Sequence, residues 1–326
     1  MRKKLVDIFI SAVLFLSVPA VAEKPSFENY VTGLKQEGMN KGIDAVLIER
    51  AFHGIRYRER AVKADRNQPE RRLTFDAYIP QAVPDWKVKK ARYLYDKHYD
   101  DLKRIENIYG VQPRFLVALW GVESNFGALT GNYDVIEALT TLAYDGRREI
   151  FFRNEVFSAL SILQAGHIDV NSMKGSWAGA MGQCQFMPSS FLSFAVDGNN
   201  DGKKDIWNSK LDIFASSANY LKKAGWDHAY TWGRQVILPK HLESSLLGLS
   251  HDKARSLAEW QFLGIKTIST GALPAVDVNA WLIQPDDELG RAYLVYGNYQ
   301  SLMRWNRSHY FALAVSHLAD RIQLGQ

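Results

Sequence analysis

The sequence predicts a mainly α protein of the α+β class, one compact helical domain carrying a small β insertion. Three observations predict it. Apolar residues recur at the helical period through most of the chain, only three short runs (235–238, 280–283 and 291–296) read as strands, and neither an internal repeat nor a low-complexity linker divides the sequence. Its 326 residues, 47% hydrophobic, suffice for a large core, and length alone allows one to three domains.

The first element reads as an export signal. Arg2, Lys3 and Lys4 precede an apolar stretch over 8–18, and Pro19, Ala20, Val21 and Ala22 form an A-x-A site, so cleavage is expected after Ala22. The alternative is an uncleaved anchor, against which the run is short and ends in small residues. No Cys lies near the cleavage point, so no lipid-attachment signal is expected and residues 23–326 form the mature chain. Losing Arg2, Lys3, Lys4 and Asp7 lowers the formal charge from +5 to +3. That balance suits contact with an anionic polymer and differs from the dense basic face of a nucleic-acid binder. Cys184 is the only cysteine, which rules out an intramolecular disulfide and makes a free buried thiol the default.

Within 27–52, Phe27, Tyr30, Val31 and Leu34, then Ile43, Val46 and Leu47, fall at helical spacing, and Gly42 to Asp44 open the second of two helices. Residues 53–85, richer in Arg, Gln and Pro, read as irregular and partly extended. Helical periodicity resumes over 86–109 and 135–166, and 211–224 and 302–318 read as further helices. The segment 175–191 holds too many small residues for a surface helix and implies close backbone approach. The runs at 280–283 and 291–296 are placed to form a hairpin around Asp286 to Gly290.

Glu123 ends the apolar run that starts at Phe115. Pro113 suits the first turn of that helix and Asn125 or Gly127 its end, so the carboxylate is expected half sunk at a helix C-terminus. Desolvation and the negative end of the helix dipole would raise its pKa toward neutrality, which suits a general acid. The plainer reading is a core hydrogen bond or a helix boundary. A second constellation, 197–205, places oxygen donors at positions 1, 3, 5 and 9, with Gly202 at 6 and a carbonyl at 7, which is calcium-loop spacing. Position 12 is Asn208 rather than the usual Glu, so Asp212 is the candidate distal carboxylate; an ordinary Asp-Asn-Gly turn without an ion is the alternative.

Taken in order, 121–127 (GVESNFG), 175–182 (GSWAGAMG), 185–190 (QFMPSS), 201–207 (DGKKDIW) with 218–220 (ANY), and 304–306 (RWN) resemble the lytic murein transglycosylase B family over nearly the whole mature chain. The resemblance implies a lysozyme-like catalytic core over about 86–234 and 297–326, an added helical region and a small β subdomain over about 235–296. It implies cleavage of the β-1,4 bond between N-acetylmuramic acid and N-acetylglucosamine in peptidoglycan, leaving a 1,6-anhydromuramyl end without water. It places the catalytic acid on Glu123, substrate contacts on Ser176, Gln185, Asn306 and, by a weaker local match, Tyr78. It puts calcium ligands on Asp197, Asn199, Asp201, the Lys203 carbonyl and Asp212. The extra residue over 211–212, relative to some family members, bears on that last ligand.

The chemistry is consistent with one acid. A two-carboxylate glycosidase needs its pair about 5 to 5.5 Å apart for retention, or farther for inversion. Here Glu123 would give its proton to the glycosidic oxygen and then take one from the muramyl 6-hydroxyl. Trp177, Tyr299 and Trp305 are candidate stacking faces for sugar, and each alone is more often core. Two alternatives stand beside this: a lysozyme-type hydrolase using Asp134 or Glu137 to activate water, and a non-catalytic, calcium-dependent glycan-binding module. The expected setting is a periplasmic monomer acting on peptidoglycan glycan strands, with structural Ca²⁺, no organic cofactor, no nucleic acid and no membrane span after signal cleavage. The histidines show no metal spacing. The basic run 87–92 reads as a solvated helix face, and Ser189–Ser190 lacks a nucleophile elbow.

Overall fold

The computed structural model describes residues 24–66, 73–286 and 290–323. The expected signal peptide, the polar stretch around Gln68 and the centre of the 286–290 turn lie outside them.

The N-terminal region starts with α1 (Phe27–Asn40) and α2 (Ala45–Ala51). Each begins on a side-chain cap: Ser26 accepts from the Asn29 amide at 3.2 Å and Asp44 from the Leu47 amide at 2.8 Å. Residues 53–85 depart from expectation, because they contain α3 (Glu59–Arg66) and α4 (Phe75–Ala82). Tertiary contacts override weak local signals in both. α3 buries Asp65, whose carboxylate is bonded by Arg147 and Arg148. α4 keeps Pro80 inside it while Phe75 packs edge-on against Tyr293 and Tyr310 and its amide bonds the Asp286 carboxylate at 2.8 Å.

Residues 86–109 form two abutting helices, α5 (Asp85–Lys97) and α6 (Tyr99–Tyr109), that meet at His98. α7 (Pro113–Ser124) is the central helix. Phe115, Leu116, Val117, Ala118, Leu119 and Trp120 are all buried in sequence, so the helix is covered on every side rather than on one stripe. It is surrounded by α5, α6, α11 (Lys210–Lys223) and α14 (His309–Gln323). Truncating a fully buried member such as Phe115 to Ala is worth about 3–5 kcal/mol at such a site.

Beyond α7, β1 (Tyr133–Asp134) pairs with β2 (Lys174–Gly175), and α8 (Val135–Asp145), α9 (Glu149–Gln164) and α10 (Pro188–Phe194) pack in succession. The five-stranded antiparallel sheet runs in the order β4 (Arg255–Ser256), β6 (Asn279–Ile283), β7 (Ala292–Val295), β3 (Gly233–Ile237), β5 (Lys266–Thr267), with α12 (Leu257–Phe262) beside it. The hairpin of β6 and β7 pairs Leu282 with Leu294 and Ile283 with Tyr293. Strand alternation then serves two cores. Leu282 and Leu294 join Val236, Leu257 and Trp260 in a small cluster, whereas Ile283, Tyr293 and Val295 point into the main helical core.

The C-terminal helix expected over 302–318 is two helices, α13 (Gly297–Trp305) and α14, because the chain breaks at 306–308 and the Asn306 side chain accepts the Ser308 amide at 3.1 Å. Among the described residues no helix is long and apolar enough to cross a membrane.

Candidate active site

Glu123 is the penultimate residue of α7, and the turn after it is fixed unusually well. Asn125 and Phe126 both take positive φ (50° and 59°), and Gly127 follows at 82°. The Ser124 hydroxyl accepts from the Gly127 amide at 3.1 Å and donates to the Gln183 carbonyl at 2.9 Å. Gln183, nearly buried, then ties three elements together. Its side-chain oxygen accepts from Trp120 Nε1 at 2.7 Å and from Lys210 at 3.2 Å, and its amide nitrogen donates to the Trp207 carbonyl at 2.5 Å. Gly127 is required by this clamp: a Cβ there would sit 2.3 Å from Gln183 Oε1.

The Glu123 carboxyl is half-buried, and Trp305 Nε1 donates to its Oε1 at 2.6 Å. Burial pushes its pKa up to about 8, against the opposing pull of the indole N–H, which favours the charged form. Trp305 is itself braced by Phe186 and Tyr220, ring centroids 5.2 and 4.7 Å away. This aromatic wall, joined to α13, keeps water from one side of the acid.

The small-residue segment folds back on itself beside the acid. Ser176 accepts from the amides of Ala178 (3.2 Å) and Ala180 (3.1 Å), and isolated bridges join Gly175 to Met181 and Met181 to Phe186. Gln185, at φ 51°, donates through Nε2 to the carbonyls of Thr130 (3.1 Å) and Gly182 (2.8 Å). Ser176 and Gln185 therefore do brace backbone, yet the serine keeps its hydroxyl proton and the glutamine its carbonyl oxygen for another partner. Asn306 follows Trp305 directly and lies at the break between α13 and α14. Tyr78 stands on α4 with its ring 5.2 Å from Tyr310. Tyr299, a candidate stacking face by sequence, is fully buried, with its hydroxyl 2.8 Å from His309 Nδ1, and belongs to the core. Trp305 and Gln183 are the residues that sequence reasoning did not place, the first as a hydrogen-bond donor and the second as the clamp.

Both carboxylates proposed for water activation are engaged in structural pairs. Glu137 is buried and accepts from the Arg56 amide at 2.9 Å and from Arg58 Nε at 2.5 Å. Asp134 caps α8 through the Glu137 amide at 3.0 Å and faces Lys174 at 3.5 Å. Cys184 is buried with its thiol pushed up to about 12 by desolvation, 3.4 Å from the Ile213 carbonyl and 3.5 Å from Ser217, which makes it a packing residue.

The acidic loop gathers oxygens. Asp197 Oδ1 and Asn199 Oδ1 each lie 3.1 Å from the same Asp201 amide, Asp197 Oδ2 accepts the Gly202 amide at 2.8 Å, and Asp201 accepts the Lys203 amide at 2.8 Å. Fully buried Asp212 joins both ends, accepting the amides of Gly198 at 3.0 Å and Asp205 at 2.6 Å. Burial raises its carboxyl above the usual range and the Asp197 charge adds to this, against the hydrogen bonds that lower it. Asn208 turns away to hydrogen-bond Asp205. Among the described residues no three Asp, Glu, His or Cys side chains form a metal-holding group by themselves. The donor chemistry still fits a hard cation that draws on carboxylate, amide and carbonyl oxygens together, each retaining a lone pair beyond its N–H bond.

A mainly helical fold with one desolvated acid at a helix end suits a protein that cleaves glycosidic bonds by general-acid chemistry. Comparison with known proteins agrees. The family model for the transglycosylase SLT domain matches residues 26–320, and the chain belongs to that family. The membrane-bound lytic murein transglycosylase B of Escherichia coli (strain K12) is 32% identical over 248 residues, 75% of this chain and 66% of that protein, so the chain spans about two thirds of that relative's length. SltB3 from Pseudomonas aeruginosa, solved in complex with NAG-anhNAM-pentapeptide, superposes with a TM-score of 0.87 at 40% identity over 91% of this chain and 80% of its own. The soluble lytic transglycosylase SltB1 from the same organism gives 0.79 at 30% identity, covering 92% and 99%. Escherichia coli Slt35 in complex with calcium gives 0.78 at 26% identity, covering 91% and 93%.

Proposed function

We propose that this chain is a periplasmic lytic murein transglycosylase that cleaves the β-1,4 bond between N-acetylmuramic acid and N-acetylglucosamine and leaves a 1,6-anhydromuramyl end. The observation that carries the reading is the carboxyl of Glu123, held near a pKa of 8 with one indole N–H upon it. At neutral pH such a group is mostly protonated. It gives its proton to the glycosidic oxygen as the C1–O bond breaks, and the leaving sugar departs with a hydroxyl. The Glu123 carboxylate, steadied by Trp305, then takes the proton of the muramyl 6-hydroxyl as that oxygen bonds C1. The acid is regenerated and no water is consumed. The engagement of Asp134 and Glu137 in structural pairs favours this over hydrolysis.

Ser176, Gln185, Asn306 and Tyr78 are the proposed contacts to the glycan strand, the first three through polar groups left over from bracing backbone. Asp197, Asn199, Asp201, the Lys203 carbonyl and Asp212 are the proposed holders of Ca²⁺, which would fix the loop next to Trp207 and so the far end of the Gln183 clamp. The relative Slt35 is a calcium complex. Export by cleavage after Ala22, action as a monomer and a lysozyme-like core at 86–234 and 297–326 with a β subdomain at 235–296 complete the proposal.

Digestion of sacculi by the purified mature chain, followed by mass spectrometry, tests it. Products one water lighter than reducing-end muropeptides are expected, and Glu123→Gln should lower turnover by at least about a thousandfold while circular dichroism stays unchanged. Reducing ends, or full activity of the variant, would overturn it.

A further inference from the structure

The basic run 87–92 forms part of a stripe of aromatic rings and lysines along α5. That helix turns Val88, Ala91 and Leu94 to the core. On the opposite arc Trp86, Lys90, Tyr93 and Lys97 follow at spacings of four, three and four residues, with Lys89 beside them. Trp86 is 52% and Tyr93 62% exposed, so more than half of each side chain stands in water.

The charge of the stripe is not neutralised within the protein. Among the described residues Lys89, Lys90 and Lys97 make no ion pair and no hydrogen bond, and Lys90 lies over the Phe126 ring at 5.1 Å with its charge intact. Asp85 is held by Arg321, so the four lysines of α5 stand against one acid of that helix without a partner, Asp96.

The hydrogen-bonding character of the stripe narrows what fits it. Lysine and indole groups only donate, which leaves the Tyr93 hydroxyl as the lone side-chain acceptor among the five. A glycan strand brings hydroxyl and amide donors that would go unanswered here. Phospholipid headgroups bring phosphate oxygens, which accept and carry the opposite charge, above an apolar layer at whose boundary indole and phenol rings rest. Lysine stems can lie along such rings while their ammonium groups reach the phosphates.

We propose that this face of α5 is a docking surface for an anionic phospholipid bilayer, with Lys89, Lys90 and Lys97 on the phosphates and Trp86 and Tyr93 at the boundary beneath them. The contact is reversible and weakens with salt. It does not depend on the chemistry at Glu123, so this proposal and the transglycosylase reading stand or fall separately.

The test sediments the chain without residues 1–22 together with vesicles of phosphatidylglycerol and phosphatidylethanolamine, or of phosphatidylcholine alone, at about 50 mM and about 500 mM salt. Binding to the anionic vesicles should be at least about tenfold tighter than to phosphatidylcholine and should disappear at high salt. Lys89→Gln combined with Lys97→Gln should weaken it about thirtyfold, and Trp86→Phe should remove the blue shift of indole fluorescence that the vesicles produce. Melting within a few degrees of wild type establishes that each variant is folded; should the double variant not fold, Lys89→Gln alone decides, with a loss of about fivefold. Failure of the wild-type chain to bind anionic vesicles at low salt would overturn the proposal. Vesicle binding that the lysine variants leave intact, while their retention on sacculi falls, would overturn it in favour of the glycan.

Discussion

Trp305 Nε1 reaches Glu123 Oε1 at 2.6 Å across 182 residues of sequence, so the acid at the end of the central helix is completed by a donor from the far end of the chain. The bond opposes burial: desolvation raises the carboxyl and the indole N–H lowers it. Trp305→Phe keeps the aromatic wall and removes the donor. The alkaline limb of kcat/KM should then move above its wild-type position near pH 8, and kcat should fall about tenfold because the carboxylate formed after bond cleavage loses its hydrogen bond. A pH–rate profile measures both; an unmoved limb would show that the indole does not tune the acid.

Stability carries the same signature with a defined sign. Glu123 holds its proton in the folded state up to about pH 8, whereas the unfolded chain releases it near the ordinary value of 4.5. Between those values the folded state binds the extra proton, so the raised pKa lowers stability as pH rises through this window, with a slope of at most about 1.4 kcal/mol per pH unit. Glu123→Gln has no such proton. Denaturant melts should show the variant gaining on wild type from pH 5 to pH 8 and holding a constant margin above it.

The clamp on the turn after Glu123 predicts a steric cost. Gly127→Ala places a methyl group 2.3 Å from Gln183 Oε1 at a φ of 82°. Destabilisation of about 1–3 kcal/mol is expected, with a loss of kcat larger than any change in KM. Gln183→Met, which keeps volume and removes the bonds to Trp120, Lys210 and Trp207, should lower kcat without the steric strain. Parallel melts and kinetics on the two variants separate packing from orientation.

Calcium binding at the acidic loop predicts linkage. At a hundredfold excess over Kd the ion adds about 2.7 kcal/mol to the folded state. The melting temperature should rise with added Ca²⁺ and return with chelator, and Asp212→Ala should abolish the increment because it removes the carboxylate that joins Gly198 to Asp205. An increment that survives in this variant would move the ion elsewhere.

Much of this arrangement was legible in the residues themselves. Pro113, the apolar run and Asn125 mark the ends of α7 because proline at the first turn and a left-handed residue past the last are local backbone preferences. The pairing of the 280–283 and 292–295 segments follows from β-branched and aromatic runs of strand length. What stayed hidden depends on partners remote in sequence. α4 forms although it contains Pro80, and the contacts that anchor its start, Phe75 between Tyr293 and Tyr310, are announced by no periodicity within 75–82. The break at Asn306 looked like continuous helix, since the side chain that ends α13 competes for a backbone amide two residues on. Gln183 gave no signal at all: one amide among glycines becomes a hub only when Trp120, Lys210 and Trp207 surround it.

The thiol of Cys184, the one cysteine of the chain, lies walled in behind the clamp, unable to ionise at ordinary pH. Its lack of thiolate character makes it a timer. A maleimide can react only with molecules that have opened this region, so the labelling rate of the unmodified chain reads how often the scaffold behind the acid comes apart.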